Sequence, residues 1–160
     1  MYSSPHREPD LPPGVADIDR PLTPRGHADA AAAGAWLTNR GILPELVICS
    51  PSRRTRETWH GVAVGLGAAP VVMYERDVYS GDADDLLRLV TEVDDDIPTV
   101  VLIGHNPAVS QLSARLDPKR ADADGLRTCG LAVHRLDGPW SDWDGGDARL
   151  ATTHTARAEA

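Results

Sequence analysis

The chain has 160 residues, 41% of them hydrophobic and 25% charged, with a formal net charge of −8, the composition of a globular domain with one core. The acidic balance opposes non-specific attraction to nucleic acid or to an anionic membrane, and no run approaches the roughly 18 apolar residues that a membrane span requires. Cys49 and Cys129 lie far apart without CxxC spacing, which argues against a disulfide framework or a zinc site. With an N-terminus that lacks basic and apolar targeting regions, the expectation is a soluble cytoplasmic protein in a reducing compartment.

After a Pro-rich opening, PLTPRGHADAAAAGAWLTNRG supplies Thr23 as N-cap, Pro24 at the first helical position, an alanine-rich body and Gly41 as a stop, so a helix is expected there. ELVICS reads as a buried strand, RRTRETWHGVAVGLG as a helix ending near Gly65 or Gly67, and PVVMY as a short strand. SGDADDLLRLVTEV places acids in the first turn of a third helix, followed by Leu86, Leu87 and Val90 at helical spacing. TVVLIG is continuously apolar, as a central parallel strand buried on both faces would be. AVSQLSARL reads as the next helix, GLAVHRL as a strand and ARLATT as a final edge strand. The expected architecture is a three-layer α/β/α sandwich with a mostly parallel sheet, one domain over residues 1–153 and a frayed tail over 154–160.

In open α/β sheets ligands gather beyond the carboxyl ends of the strands. CSPSRRTRETW places Arg53, Arg54 and Arg56 at such a strand-to-helix junction, where unpaired N–H groups and the helix dipole favour an anion. GHNP at 104–107 directly follows TVVLI, so His105 is expected to face the same crevice. A neutral ring is favoured there beside cations and a protonated one beside a bound phosphoryl group. Arg53 and Arg56 read as solvated helix charges, because residues one and two apart do not share a helix face. His27, His60, His134 and His154 read as surface, strand or tail residues, and the six histidines have no metal-ligand spacing.

Three segments, DRPLTPRG at 19–26, CSPSRRTRET at 49–58 and GHNP at 104–107, in this order and at these separations, resemble the histidine phosphatase superfamily. Within it they are most similar to the small phosphohistidine phosphatases of the SixA type. The resemblance implies a phosphoglycerate mutase-like fold and a metal-independent phosphatase that needs no cofactor and works through a covalent phosphohistidine. A histidine attacks phosphorus in line, and arginines with a second histidine hold the equatorial oxygens. It assigns Arg54 as the phosphate clamp, His105 as the second histidine, Arg20 as a further arginine of the phosphoryl pocket, and Asn106 and Thr128 as groups near the substrate. It implies a phosphorylated protein or a small phosphorylated molecule as partner, leaving the oligomeric state open.

The register of the resemblance puts His6 at the position of the nucleophile and Pro5 where the family has arginine. MYSS is short and polar for a buried first strand, so that strand is expected to be short or degenerate. Either the beginning of the chain is altered or the catalytic strand has decayed in a diverged member. The second case gives the rival expectation: a catalytically impaired phosphate- or phosphoprotein-binding protein that keeps Arg20, Arg54 and His105. Mutase-like phosphoryl transfer ranks third, because the chain has no evident lid insertion or general acid; Glu75 and Asp77 are left unassigned in that role.

Overall fold

The computed structural model describes residues 2–3, 16–66, 70–121, 125–127, 130–136, 138–140 and 148–157; Pro5, His6 and Thr128 lie outside them. Helix α1 spans Pro24–Asn39, with the Thr23 hydroxyl accepting from the Gly26 amide and Gly41 just beyond it at φ +70°, a left-handed stop suited to glycine. Strand β2 (Leu46–Cys49) feeds α2 (Arg53–Gly65), whose N-cap is Ser52. Strand β3 (Val71–Tyr74) is followed by a five-residue helix α3 (Arg76–Ser80) that the sequence pattern does not announce. A reciprocal capping box between Asp82 and Asp85 starts α4 (Ala83–Thr91). Strand β4 (Val100–Gly104), helix α5 (Ala108–Leu116) and strands β5 (Gly130–Arg135) and β6 (Arg149–Thr155) complete these elements.

MYSS does contribute a strand: Tyr2–Ser3 forms β1 in the middle of the sheet, paired parallel to β4 and antiparallel to β5. Its two residues keep it short, as expected, but backbone pairing from both neighbours places it despite the polar sequence. The order is β3-β2-β4-β1-β5-β6; the first four strands are mutually parallel, and β5 and β6 join antiparallel.

Strand alternation divides the interior in two. Val47 and Cys49 of β2, with Val101 and Ile103 of β4, face α1 and α2 through Ala30, Ala33, Leu37, Trp59 and Val62. Leu46, Ile48 and Leu102 face Val78, Leu86, Val109, Leu112 and Leu116 from the opposite helical layer. Every residue of β2 is therefore buried, as a parallel strand covered on both sides must be.

The expected tail from residue 154 is corrected. His154 and Thr155 belong to β6, His154 stacks on Trp36 with ring centroids 4.7 Å apart, and Ala156 is fully buried. A polar edge strand carries a weak hydrophobic signal, and a single alanine methyl supplies the apolar contact.

Helices α1 and α2 meet through small residues. A Cβ at Gly34 would run into the Val62 carbonyl, and one at Gly65 would sit 2.6 Å from the Ala35 nitrogen. Because backbone opposes the added atom, Gly34→Ala is expected to destabilise by about 2 kcal/mol despite alanine's better helix propensity. Thermal unfolding should then fall by roughly 4–8 °C; an unchanged melting temperature would contradict the close contact.

Candidate active site

Parallel β2 and β4 deliver their following residues to one rim of the sheet. Beyond β2, Ser50 and Ser52 are fully buried, and Thr55 ties the turn by donating from its hydroxyl to the Ser50 carbonyl at 2.8 Å. Arg54, on the first turn of α2, is thereby held with its side chain only 7% exposed. Beyond β4 comes His105, whose carbonyl accepts from the Val109 amide at the start of α5. A Cβ on Gly104 would stand 2.9 Å from Val109 and 3.1 Å from Val78, so glycine lets two helices close on this strand end.

His105 and Arg54 meet here. Arg54 Nη2 lies 3.3 Å from His105 Nδ1, and His105 Nε2 lies 2.7 Å from Ser50 Oγ. A guanidinium can only donate, so Nδ1 accepts and the neutral ring carries its proton on Nε2, which donates to Ser50. The Tyr79 ring stands edge-on to His105, with centroids 5.5 Å apart.

Arg20 arrives from a separate segment. One 3₁₀ turn, Asp17–Asp19, precedes it, and its buried side chain donates from Nη2 to Asp17 Oδ1 at 3.0 Å. The same carboxylate gathers the rest of the cluster. Arg54 Nη1 and Nη2 each lie 3.3 Å from Asp17 Oδ2, Arg54 Nη1 also donates to the Asp17 carbonyl at 2.9 Å, and the Tyr79 hydroxyl donates to Oδ2 at 2.7 Å. The Tyr79 hydrogen bond, helped by the charges of Arg54 and Arg20 and opposed by burial, holds the Asp17 carboxyl below its usual range. Donation to that carboxylate raises the Tyr79 phenol, and burial lowers Arg54 against the pull of Asp17.

Of the expected site residues, Arg20, Arg54 and His105 thus converge. Asn106 sits beside them in sequence, but its side chain binds elsewhere: Nδ2 donates to the Leu126 carbonyl at 2.8 Å and Oδ1 accepts from Ser110 at 2.6 Å. Arg53 pairs with Glu57, and Arg56 donates to the Pro51 carbonyl at the surface, as solvated helix charges should. Sequence reasoning missed Asp17, Tyr79 and Ser50. The carboxylate three residues before Arg20 was a usable signal, whereas Tyr79 rides on the unannounced α3. Cys49, under the same rim, is not a nucleophile: burial pushes its thiol up to about 12. A cavity of about 540 Å³ lies elsewhere, between the end of α1 and the starts of β4 and the β5 edge, and the arginines and His105 do not line it.

The histidine phosphatase superfamily (branch 1) matches residues 14–77, the stretch that carries Arg20, Ser50 and Arg54. A Nakamurella multipartitia protein bearing the name putative phosphohistidine phosphatase SixA is 32% identical and superposes with a TM-score of 0.77, covering 91% of this chain and 90% of its own. The chain belongs to the histidine phosphatase superfamily. An uncharacterized Mycobacterium tuberculosis protein is 34% identical over 162 residues, 95% of this chain and 99% of that one. The protein histidine phosphatase SixA solved with tungstate shares the fold at 22% identity, with a TM-score of 0.79 over 96% and 95% of the two chains. Family membership and these neighbours support phosphatase activity.

The Asp17–Tyr79 hydrogen bond has a direct readout in this phosphatase-family chain. Asp17→Asn removes the negative acceptor that favours the neutral phenol, so the Tyr79 titration should move down toward its ordinary value. Ultraviolet absorbance during alkaline titration measures this, and a titration identical to the parent would mean the bond is not made.

Proposed function

We propose that this chain is a metal-independent phosphatase that takes a phosphoryl group onto His6 and passes it to water, acting on phosphohistidine of a protein or on a small phosphorylated molecule. The observation that carries the reading is the meeting of Arg20, Arg54 and His105, from three separated segments, at the sheet rim: both guanidinium groups bind the Asp17 carboxylate, and His105 lies against Arg54. Two guanidinium groups and an imidazole around one anion are what phosphoryl transfer requires when charge stabilisation is the main contribution to rate. In the proposed step a His6 ring nitrogen forms a bond to phosphorus as the bond to the leaving group breaks, and the leaving group departs with the electron pair. Water then attacks phosphorus, His6 is released and phosphate leaves. Arg54 and Arg20 would hold equatorial oxygens, and His105, protonated in the presence of the dianion, would donate to a third.

Thr128 is assigned a substrate contact on the family pattern. Asn106 is assigned an indirect one, through its hold on the segment at Leu126. The name of the Nakamurella neighbour supports a phosphohistidine substrate, and the location of the site at an accessible rim, with the Asp17 side chain 47% exposed over the arginines, suits a substrate borne on a protein. Pro5, in place of the arginine expected beside His6, favours a second reading, a phosphate-binding member with impaired turnover.

Turnover of p-nitrophenyl phosphate and of a phosphohistidine peptide, with chelator present, tests the assignment. Arg54→Ala and His105→Ala should each lower kcat/KM by on the order of 10²–10³, and His6→Ala should abolish both turnover and an acid-labile phosphoenzyme. Full activity in the His6→Ala protein would remove His6 as nucleophile. Phosphate binding without turnover, restored to turnover by Pro5→Arg, would instead establish the binding reading.

A further inference from the structure

The Asp17 carboxylate stands where an oxyanion would be held. Its two oxygens take up Arg20 Nη2 at 3.0 Å and both Arg54 Nη atoms at 3.3 Å, the donors that a phosphoryl group would need. We infer, on the reading that this rim takes a phosphoryl group, that Asp17 is the site's own competing anion. Its carboxylate holds the two guanidinium groups until phosphoryl oxygens replace it, and its charge then disfavours substrates that carry a second anion beside the phosphoryl.

Three observations support this role. Asp17 is half-exposed while the Arg20 and Arg54 side chains are 8% and 7% exposed, so the carboxylate is the outer partner, nearest the solvent from which a substrate arrives. It also does not saturate the clamp: Arg54 Nε is buried and meets no acceptor among the described residues. A phosphoryl dianion has three oxygens and a second negative charge, so it can satisfy more donors than a carboxylate and displace it. Finally, the Tyr79 hydroxyl at 2.7 Å gives the carboxylate a donor outside the arginine pair, keeping it at the mouth after displacement. There it would repel an anionic substituent and accept from an N–H donor on the departing group.

Calorimetric titration of the full chain with inorganic phosphate, and with phosphoglycolate as a phosphate bearing a nearby carboxylate, tests this. Asp17→Asn keeps the shape and one acceptor but removes the charge. It should tighten phosphate binding roughly tenfold and phosphoglycolate binding by a larger factor. Loss of a merely structural contact would weaken binding, so equal or weaker phosphate affinity in Asp17→Asn overturns the proposal, as does a gain no larger for phosphoglycolate than for phosphate. If that variant does not fold, Asp17→Ser carries the test: it also removes the competing charge, should tighten phosphate roughly tenfold, and no gain overturns the inference. Phosphate binding by the parent chain with no gain in either variant sinks only the role of Asp17. Failure of the parent and both variants to bind phosphate sinks the anion site itself.

Discussion

Two guanidinium groups withdrawn from water at one rim of the sheet set the terms for everything around them. A guanidinium does not shed its proton when buried, so Arg20 and Arg54, each less than a tenth exposed in its side chain, require acceptors and an opposing charge. Each repels the other, and burial lowers Arg54 further. Removing one partner from such a cluster leaves uncompensated buried charge. Asp17 supplies the counter-charge, and the lowered carboxyl of Asp17 and the lowered guanidinium of Arg54 record the two sides of that arrangement.

The fold exists in the form that makes this arrangement rigid. Because β2 and β4 are adjacent and parallel, Ser50 and His105 leave the same edge, and the Ser50 amide donates to the Ile103 carbonyl at 3.0 Å to continue the ladder to the rim. The hydroxyls of Ser52 and Thr55, 2.6 Å apart, lock the first turn of α2, and the glycine contacts with α1 fix where that helix lies. A shift of about 1 Å in any of these supports would reach the arginine and histidine directly, a displacement that can cost roughly a hundredfold in rate. The close α1–α2 contact is in this sense part of the site, although it contains no charged group.

Much of this was legible in the sequence because the strong local signals agreed with the global fold. Thr23, Pro24 and Gly41 mark helix ends through chemistry that acts within a few residues, and the unbroken apolar run of β4 announces burial on both faces. Arg54 and His105 could be placed together because strand ends of a parallel sheet share an edge, whereas Arg20 was reached only through the family resemblance. The misreadings have equally local causes. Edge strand β6 buries little, so its extension through Thr155 looked like a tail. Asp17 offered a local signal, three residues before Arg20, but the rest of its role depends on Arg54, 37 residues away, and Tyr79 was hidden because a five-residue helix with one buried residue, Val78, has no periodicity to detect.

The first turn of α2 contains Arg53 and Arg54 and no acidic residue, although a helix N-terminus favours negative charge by roughly 0.3–1 kcal/mol per group and disfavours positive charge comparably. Ser52 satisfies the Thr55 amide there, but a cap does not cancel two cations. Arg53 escapes by pairing with Glu57 one turn later at 2.8 Å; Arg54 cannot, since it points inward. The helix dipole, the buried guanidinium of Arg54 and the nearby Arg20 all lower the energy of an anion at the same place, and the inward-pointing Arg54 does not serve the stability of the helix that bears it. The other candidate nucleophiles and bases near the interior are already engaged: Cys49 is held as a thiol by burial. His134, kept neutral by burial, donates from Nδ1 to the Ala148 carbonyl and accepts from Ser113. What the sequence has concentrated at the rim is therefore a pair of buried cationic donors, and the Asp17 carboxylate is the part of the chain that supplies their counter-charge in the folded protein.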